Sequence, residues 1–377
     1  MSAPPPAPLT VHLHPSPDRD TVNPYLSLLV GGLRERGVRV VPLTWRRALR
    51  ERGPAVVHVH WPEMPLHDPL LRRALLRSAR LAAGLLAARL RGLPVVWTVH
   101  NLRAHDGHRP VLQRLLWAVF PRLVGGWISL SAAGAESAQR AFRPLRRRPH
   151  RVLAHGTYAQ VVGRPDRRRS REALGLAPDA AVVAMVGRVK PYKGVEDLVE
   201  AVHASPAPDL RLVVGGGCED DALRERLEAV AERDPRVSLL LQRLPQQRVD
   251  EVLAAADLLV LPFRSVLNSG SVLLCLSAGR PVLAPRTAVF EELAAEVGPG
   301  WLRLFDGPLT ASVLEAALAQ GPARGEPDLS RHAWDRVAAE HAGFYEQVLP
   351  GRRRRLRRTR PDVTGVTGAA GGAGAPR

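Results

Sequence analysis

Residues 181–202 read AVVAMVGRVKPYKGVEDLVEAV: six apolar residues, a glycine-bounded basic loop, then apolar positions recurring every three or four residues. A continuous apolar run of that length suits a strand buried on both faces, and the period that follows suits an amphipathic helix. A strand feeding directly into a helix is half of a βαβ unit, the repeating piece of parallel sheets. The loop between them holds both lysines of the chain, Lys190 and Lys193, although the remaining 52 of the 54 basic residues are arginines. In parallel α/β domains ligands bind at the carboxyl ends of strands. Arg188, Lys190 and Lys193 at such an end, backed by a helix N-terminus, suit a phosphate or diphosphate.

The same alternation extends in both directions. Downstream, strands are expected at Leu210–Val214, Val237–Leu241, Leu258–Leu261 and Pro281–Ala284, with helices between them. Upstream, strands are expected at Leu9–His14, Val38–Leu43, Ala55–His60, Pro94–Val99 and Gly126–Leu130, separated by helical stretches that include Pro69–Leu90. Between Phe142 and Arg171 the pattern dissolves into arginine, proline and glycine, apart from Val152–Ala154. The expected fold class is therefore α/β, with two Rossmann-like, doubly wound parallel-sheet domains facing a cleft. The expected boundaries are 1–160 for the first domain, 161–171 for a basic linker, 172–330 for the second domain and 331–350 for a C-terminal helix. Residues 351–377, basic and then Gly/Ala-rich, are expected to be disordered.

With 377 residues, 45% of them hydrophobic, the chain is too large for a disulfide-stapled miniprotein and too apolar for a disordered one. Its net charge of +18 is unevenly spread: residues 1–170 carry 28 basic and 9 acidic side chains, residues 171–350 carry 18 and 26, and the tail 8 and 1. A nucleic-acid-binding module would interleave cations with aromatics, but aromatics are only 5% and the second domain is net acidic. Two cysteines, Cys218 and Cys275, fit a reducing compartment. No signal peptide is expected at the N-terminus, and arginines interrupt every long apolar stretch before about 18 residues, so no spanning helix is expected. The expected location is cytoplasmic.

Other strand ends carry chemistry too. Asn268-Ser269-Gly270-Ser271 offers backbone N–H groups and small hydroxyls at a helix start, another anion site or else an ordinary N-cap. Gly216, within a run of three glycines, lacks dinucleotide-fingerprint spacing, and there is no Walker lysine motif. In the first domain, His58-Val59-His60-Trp61-Pro62-Glu63 and Thr98-Val99-His100-Asn101 lie where strands run out; such residues bind sugar hydroxyls or move protons, and Trp61 offers a face to a pyranose ring. His58 and His60 are read as pointing to opposite sides of their strand, which argues against a shared metal, and no metal site is expected. His105-Asp106 follows, with Asp106 a candidate base. The helix at 69–90 places Arg73, Arg77 and Arg80 on one face and leaves Leu71, Leu75, Ala82 and Leu86 for another, as a helix resting on an anionic bilayer does, or a solvated surface helix.

These motifs resemble the GT-B glycosyltransferases, in particular the large retaining group called family 4. Gly187-Arg188, Lys193 and Gly194 are similar to that group's donor site. Leu212–Gly217, Ala255-Ala256-Asp257 before Val260-Leu261-Pro262, and Gly279-Arg280-Pro281-Val282 follow in the family's succession. Trp334-Asp335 resembles the start of its crossover helix, which returns to the first domain. Thr98-Val99-His100-Asn101 resembles the family's Thr-Val-His-Asp. The family's paired glutamates would fall on Val266 and Leu274, so both are missing and stereochemistry and nucleotide stay open.

The resemblance implies a hexosyltransferase with an acceptor domain followed by a nucleotide-sugar donor domain. Arg188 and Lys193 would stabilise the departing diphosphate, and His100 would position the transferred sugar. Gly187, Lys190, Gly216, Asn268, Ser269, Gly270, Ser271 and, from the facing domain, Asn23 would bind the donor. His60, Trp61, Glu63 and Asp106 would face the acceptor, with Asp106 or Glu63 as base in an inverting variant. The nucleotide sugar is a substrate, so no cofactor is expected, and a cationic clamp replaces a metal. The implied acceptor is lipid-linked or a polysaccharide, met at the inner membrane face with peripheral binding to an anionic surface. A nucleotide-sugar epimerase of the same fold is the enzymatic alternative, and it needs carboxylate acid/base groups in the cleft.

Overall fold

The computed structural model describes residues 7–16, 24–102, 109–268 and 270–350. Asn23, Asp106, Ser269 and the basic tail 351–377 lie outside the described residues.

The first sheet contains β1 (Thr10–His14), β2 (Arg39–Pro42), β3 (Ala55–Val59), β4 (Val95–Val99), β5 (Gly126–Ser129) and β6 (His150–Val152). The second contains β7 (Ala181–Val186), β8 (Leu210–Gly215), β9 (Val237–Leu240), β10 (Leu258–Val260), β11 (Val282–Pro285) and β12 (Leu302–Phe305). Every pairing is parallel, in the orders β2-β1-β3-β4-β5-β6 and β12-β11-β10-β7-β8-β9. The two Rossmann-like sheets expected from the sequence are present. Buried Val, Leu and Ala dominate the central strands, as sheets covered by helices on both faces require.

Strand order decides where a ligand can enter. In the second sheet the chain reverses its winding direction between β7 and β10, and the basic loop and the 262–271 loop leave from those two strands. In the first sheet the reversal falls between β1 and β3, and β3 runs into His60–Glu63. Crevices at such reversals are the ligand sites of open α/β sheets.

Several elements escaped the sequence reading. β6 is a short edge strand, His-Arg-Val, with too few apolar residues to show a period. Residues 167–173, which straddle the expected boundary between the linker at 161–171 and the second domain from 172, form the helix Arg167–Ala173, which packs on the helix Gln246–Ala255 of the second domain. Arg171 is buried there, donating to the Ala255 carbonyl and to Asp257. At the C-terminus the helix Trp334–Val348 returns to the first domain, where Trp334, Val337, Ala338, Phe344, Tyr345 and Val348 complete its core with Tyr25, Leu29 and Leu33. Arg36 fastens its start by donating to the Asp335 carbonyl.

Candidate functional site

The basic loop turns back beneath the end of β7. Gly194 has φ +69°, and a side chain there would meet the Pro262 carbonyl oxygen at 2.1 Å, so only glycine lets this loop pack against the one that follows β10. The turn sends Lys193 inward: it is 6% exposed, its ammonium 5.9 Å from the Phe263 ring centre, with Cys275 nearby. Burial, and then the neighbouring Arg188, lower its pKa to about 8. The same burial raises the Cys275 thiol to about 12, so it stays neutral beneath the ammonium. Arg188 is exposed at the loop's rim. Lys190 instead lies 3.6 Å from Glu219, which spends part of its charge within the protein.

Gly187, with φ +121°, opens a small cradle: a β-carbon there would lie 3.0 Å from Lys193 Nζ and 3.7 Å from Ser271 Oγ. An ammonium, a hydroxyl and the first turn of the helix Gly270–Ser277 thus converge on one space, the geometry that an anion requires. Gly216 packs against the backbone of Gly187 and supports this loop.

Asn268 connects the two domains. Its side-chain amide donates to the backbone carbonyls of Val99 (3.2 Å) and His100 (3.1 Å), holding the loop that follows β10 against the end of β4. His100 in turn has its Nε2 2.9 Å from His60 Nδ1, stacks on Trp61 at 4.6 Å between ring centres, and meets the edge of Tyr25 at 5.2 Å. Burial lowers both histidines' pKa well below the ordinary value, so the pair is neutral, one ring donating and the other accepting.

Glu63 is 4% exposed at the end of the β3 loop. Burial raises its carboxyl to about 7, against the opposing hydrogen bonds from the Asn101 amide at 2.9 Å and from its own backbone N–H. A carboxylate poised near neutrality is suited to accept a proton.

The structure thus gathers Gly187, Arg188, Lys193, Gly216, Asn268, Gly270 and Ser271 around the ends of β7 and β10, and His60, Trp61, Glu63 and His100 around those of β3 and β4. His60 is buried behind His100 rather than open to the cleft. His58 and His60 do not point apart: their ring centres lie 4.1 Å from each other, because residues two apart share one face of a strand. His58 is structural, its Nδ1 2.8 Å from Tyr345 Oη and its Nε2 2.8 Å from Thr98 Oγ1. Among the described residues, no three His, Cys, Asp or Glu side chains gather as a metal site.

Four neighbours went unread in the sequence. Tyr25 packs against His60, His100 and His155, while Tyr158 and His155 line the space beside Gly270, and Phe263 faces Lys193. Phe263 could have been found from its place just beyond the β10 strand, and Tyr25 opens an amphipathic helix whose period marks it as core without showing what it packs on; His155 and Tyr158 are isolated rings in a segment with no period.

Residues 180–316 match the family model described as glycosyl transferases group 1. The chain is 32% identical over 330 residues to a GDP-mannose:glycolipid 4-beta-D-mannosyltransferase of Xanthomonas campestris pv. campestris, covering 87% of this chain and 89% of that protein. Sucrose-phosphate synthase from Thermosynechococcus elongatus superposes with a TM-score of 0.59 at 17% identity, over 93% of this chain and 98% of that one. A glycosyltransferase from Rickettsia africae ESF-5 gives 0.62 at 9% identity, over 91% and 99%. At these identities the two solved structures show the fold alone.

Proposed function

The chain belongs to the group 1 glycosyltransferases, enzymes of the GT-B fold, and on that premise we propose that it transfers mannose from GDP-mannose to a hydroxyl of a glycolipid. The observation that carries this reading is the similarity to a mannosyltransferase of that description along 87% of the chain, through both domains. The geometry supplies a chemistry for it.

In this reading the diphosphate occupies the cradle of Gly187, Lys193 and Ser271, with Arg188 closing over it. Charge grows on the diphosphate as the bond to the sugar breaks, and cations placed at that point stabilise the transition state more than the ground state. A unit charge 4 Å away is worth roughly 4 kcal/mol at an effective dielectric of 20, before desolvation. Two such groups supply the electrostatics that a divalent ion supplies elsewhere, so transfer proceeds without metal.

GDP-mannose carries its sugar α-linked, so a β-linked product requires attack from the face opposite the diphosphate. One base suffices. Glu63 removes the proton from the acceptor hydroxyl as that oxygen bonds to the anomeric carbon, and GDP departs with the bonding electrons. The neutral His100, oriented by His60, hydrogen-bonds the transferred sugar, and Trp61 packs on a ring. Inversion also makes sense of Val266 and Leu274 where the retaining family has glutamates. A glycolipid acceptor places the enzyme peripherally at the cytoplasmic membrane face, where an arginine-rich first domain is attracted to anionic lipid.

The test is GDP or UDP release from a panel of nucleotide sugars, with glycolipid extract as acceptor and excess chelator present. GDP-mannose as preferred donor, turning over in chelator, upholds the reading. Preference for a UDP-sugar, or abolition by chelator, overturns the corresponding part.

A further inference from the structure

Ten large apolar side chains are exposed among the described residues, and nine of them lie on two neighbouring helices of the first domain or immediately before them. Leu70, Leu71, Leu75, Leu76, Leu86 and Leu90 belong to the helix Leu71–Leu90 or its cap, and Val111, Leu115 and Val119 to the helix Pro110–Leu123. They are not scattered. On the first helix, Leu71, Leu75, Ala79, Ala83, Leu86 and Leu90 follow one another at spacings of three and four, and all are exposed, so an apolar ridge runs the helix's length on the side away from its buried Ala74, Leu81, Leu85 and Ala88. On the second, Val111, Leu115 and Val119 repeat at intervals of four.

The charge on these helices is equally one-sided. They carry seven arginines and no carboxylate. Arg77 has a partner in Asp68, the one carboxylate paired with these arginines among the described residues. Elsewhere arginines are commonly matched, as Arg264 is by Asp197 or Arg286 by Asp306.

Leucines interleaved with unmatched arginines on an outer face lack the polar covering a water-facing helix needs, and they are complementary to a layer that is apolar below and anionic above. The surface also adjoins the acceptor side of the cleft. The first helix begins one short turn, Met64–His67, after Glu63, and Arg109 ties the start of the second helix to the first by donating to the carbonyls of Leu66 and Pro69.

We infer that these two helices form one membrane-docking surface, inserting their leucines and valines among the acyl chains of an anionic bilayer with the arginines at its phosphates. Docked this way, the mouth beside Glu63 opens along the bilayer plane, where a lipid-linked acceptor keeps its sugar; this role in the reaction rests on the glycolipid reading above. The occupant is lipid rather than a second copy of the chain, because two copies meeting face to face would bring together seven arginines each, with Asp68 the one carboxylate paired with them among the described residues.

The experiment is flotation of the whole protein with vesicles of phosphatidylglycerol and phosphatidylcholine, against phosphatidylcholine alone, at rising salt. Two variants are compared: Leu71→Ser, Leu75→Ser, Leu115→Ser and Val119→Ser together, and Arg72→Gln, Arg73→Gln, Arg80→Gln and Arg114→Gln together. The wild type is expected to float with the anionic vesicles and retain part of its binding in salt. The serine variant should partition about tenfold or more less, and the glutamine variant should lose the preference for anionic lipid. Both should unfold at the wild-type temperature, since the residues are exposed. Absence of wild-type flotation, or flotation unchanged in both variants, overturns the surface. Sedimentation showing a dimer that the serine variant dissolves, with vesicle binding unchanged, overturns it in favour of self-association. Vesicle binding as expected, with no mannosyl transfer to any glycolipid, upholds the surface and removes only the acceptor reading.

Discussion

The Asn101 side-chain amide donates a hydrogen bond of 2.9 Å to the Glu63 carboxylate, joining the loop after β4 to the loop after β3. The bond favours the ionised carboxylate, while burial disfavours it more strongly and leaves the group near 7. The proposed base must be ionised to act, so kcat/KM should rise with pH through about 7. Asn101→Ala removes one opposing bond and should move that rising limb to higher pH. Glu63→Gln should lower kcat by about 10²–10⁴ with little change in donor KM. An unshifted limb in Asn101→Ala would separate Glu63 from the proton transfer.

Lys193 titrates in the opposite sense. Its pKa is lowered to about 8, so the ammonium proposed to meet the diphosphate is present below that pH and lost above it. The free enzyme's kcat/KM for donor should therefore fall as pH rises through about 8, giving a narrow bell together with Glu63. Lys193→Met should remove the alkaline limb along with about 10²–10³ of the rate. A falling limb that persists in that variant would belong to another group.

Asn268 spans the cleft with two hydrogen bonds to backbone carbonyls of Val99 and His100. Each is worth about 1 kcal/mol net, so Asn268→Ala should cost about 5–30-fold in kcat/KM for donor. The readout that distinguishes closure from folding is the thermal midpoint, which should barely move because each domain keeps its own core.

Tyr345 and His58 test structure without chemistry. Tyr345→Phe leaves His58 Nδ1 buried without its partner on the crossover helix, a loss of about 1–3 kcal/mol. Urea denaturation should show that loss while kcat for transfer holds. A large fall in kcat at unchanged stability would instead make the pair part of the active site.

The parts of this molecule readable in the sequence are those where one residue type answers to one physical need. Six apolar residues before Gly187 mark a central strand because both its faces are covered, and Lys193 stands out because lysine is otherwise almost absent. The edge strands β6 and β12 left no such mark, since His150-Arg151-Val152 and Leu302–Phe305 mix charge with apolar residues as an edge does. The helix at Arg167–Ala173 is nearly all polar and reads as linker; its anchor, the buried contact of Arg171 with Asp257, is 86 residues distant and invisible to local patterning. Glu63 was legible as a candidate, but its burial and its Asn101 partner depend on two loops meeting. Tyr25 at the back of the histidine pair depends on the fold in the same way.

The most direct measurement is the anomeric configuration of the product, together with its dependence on Glu63. Wild type and Glu63→Gln are given GDP-mannose and glycolipid extract in excess chelator, and both released GDP and the new linkage are determined. The expected result is a β-linked mannoside from the wild type and near-complete loss of transfer in Glu63→Gln, with donor binding intact. An α-linked mannoside, formed as fast by Glu63→Gln as by the wild type, would contradict inversion by this base.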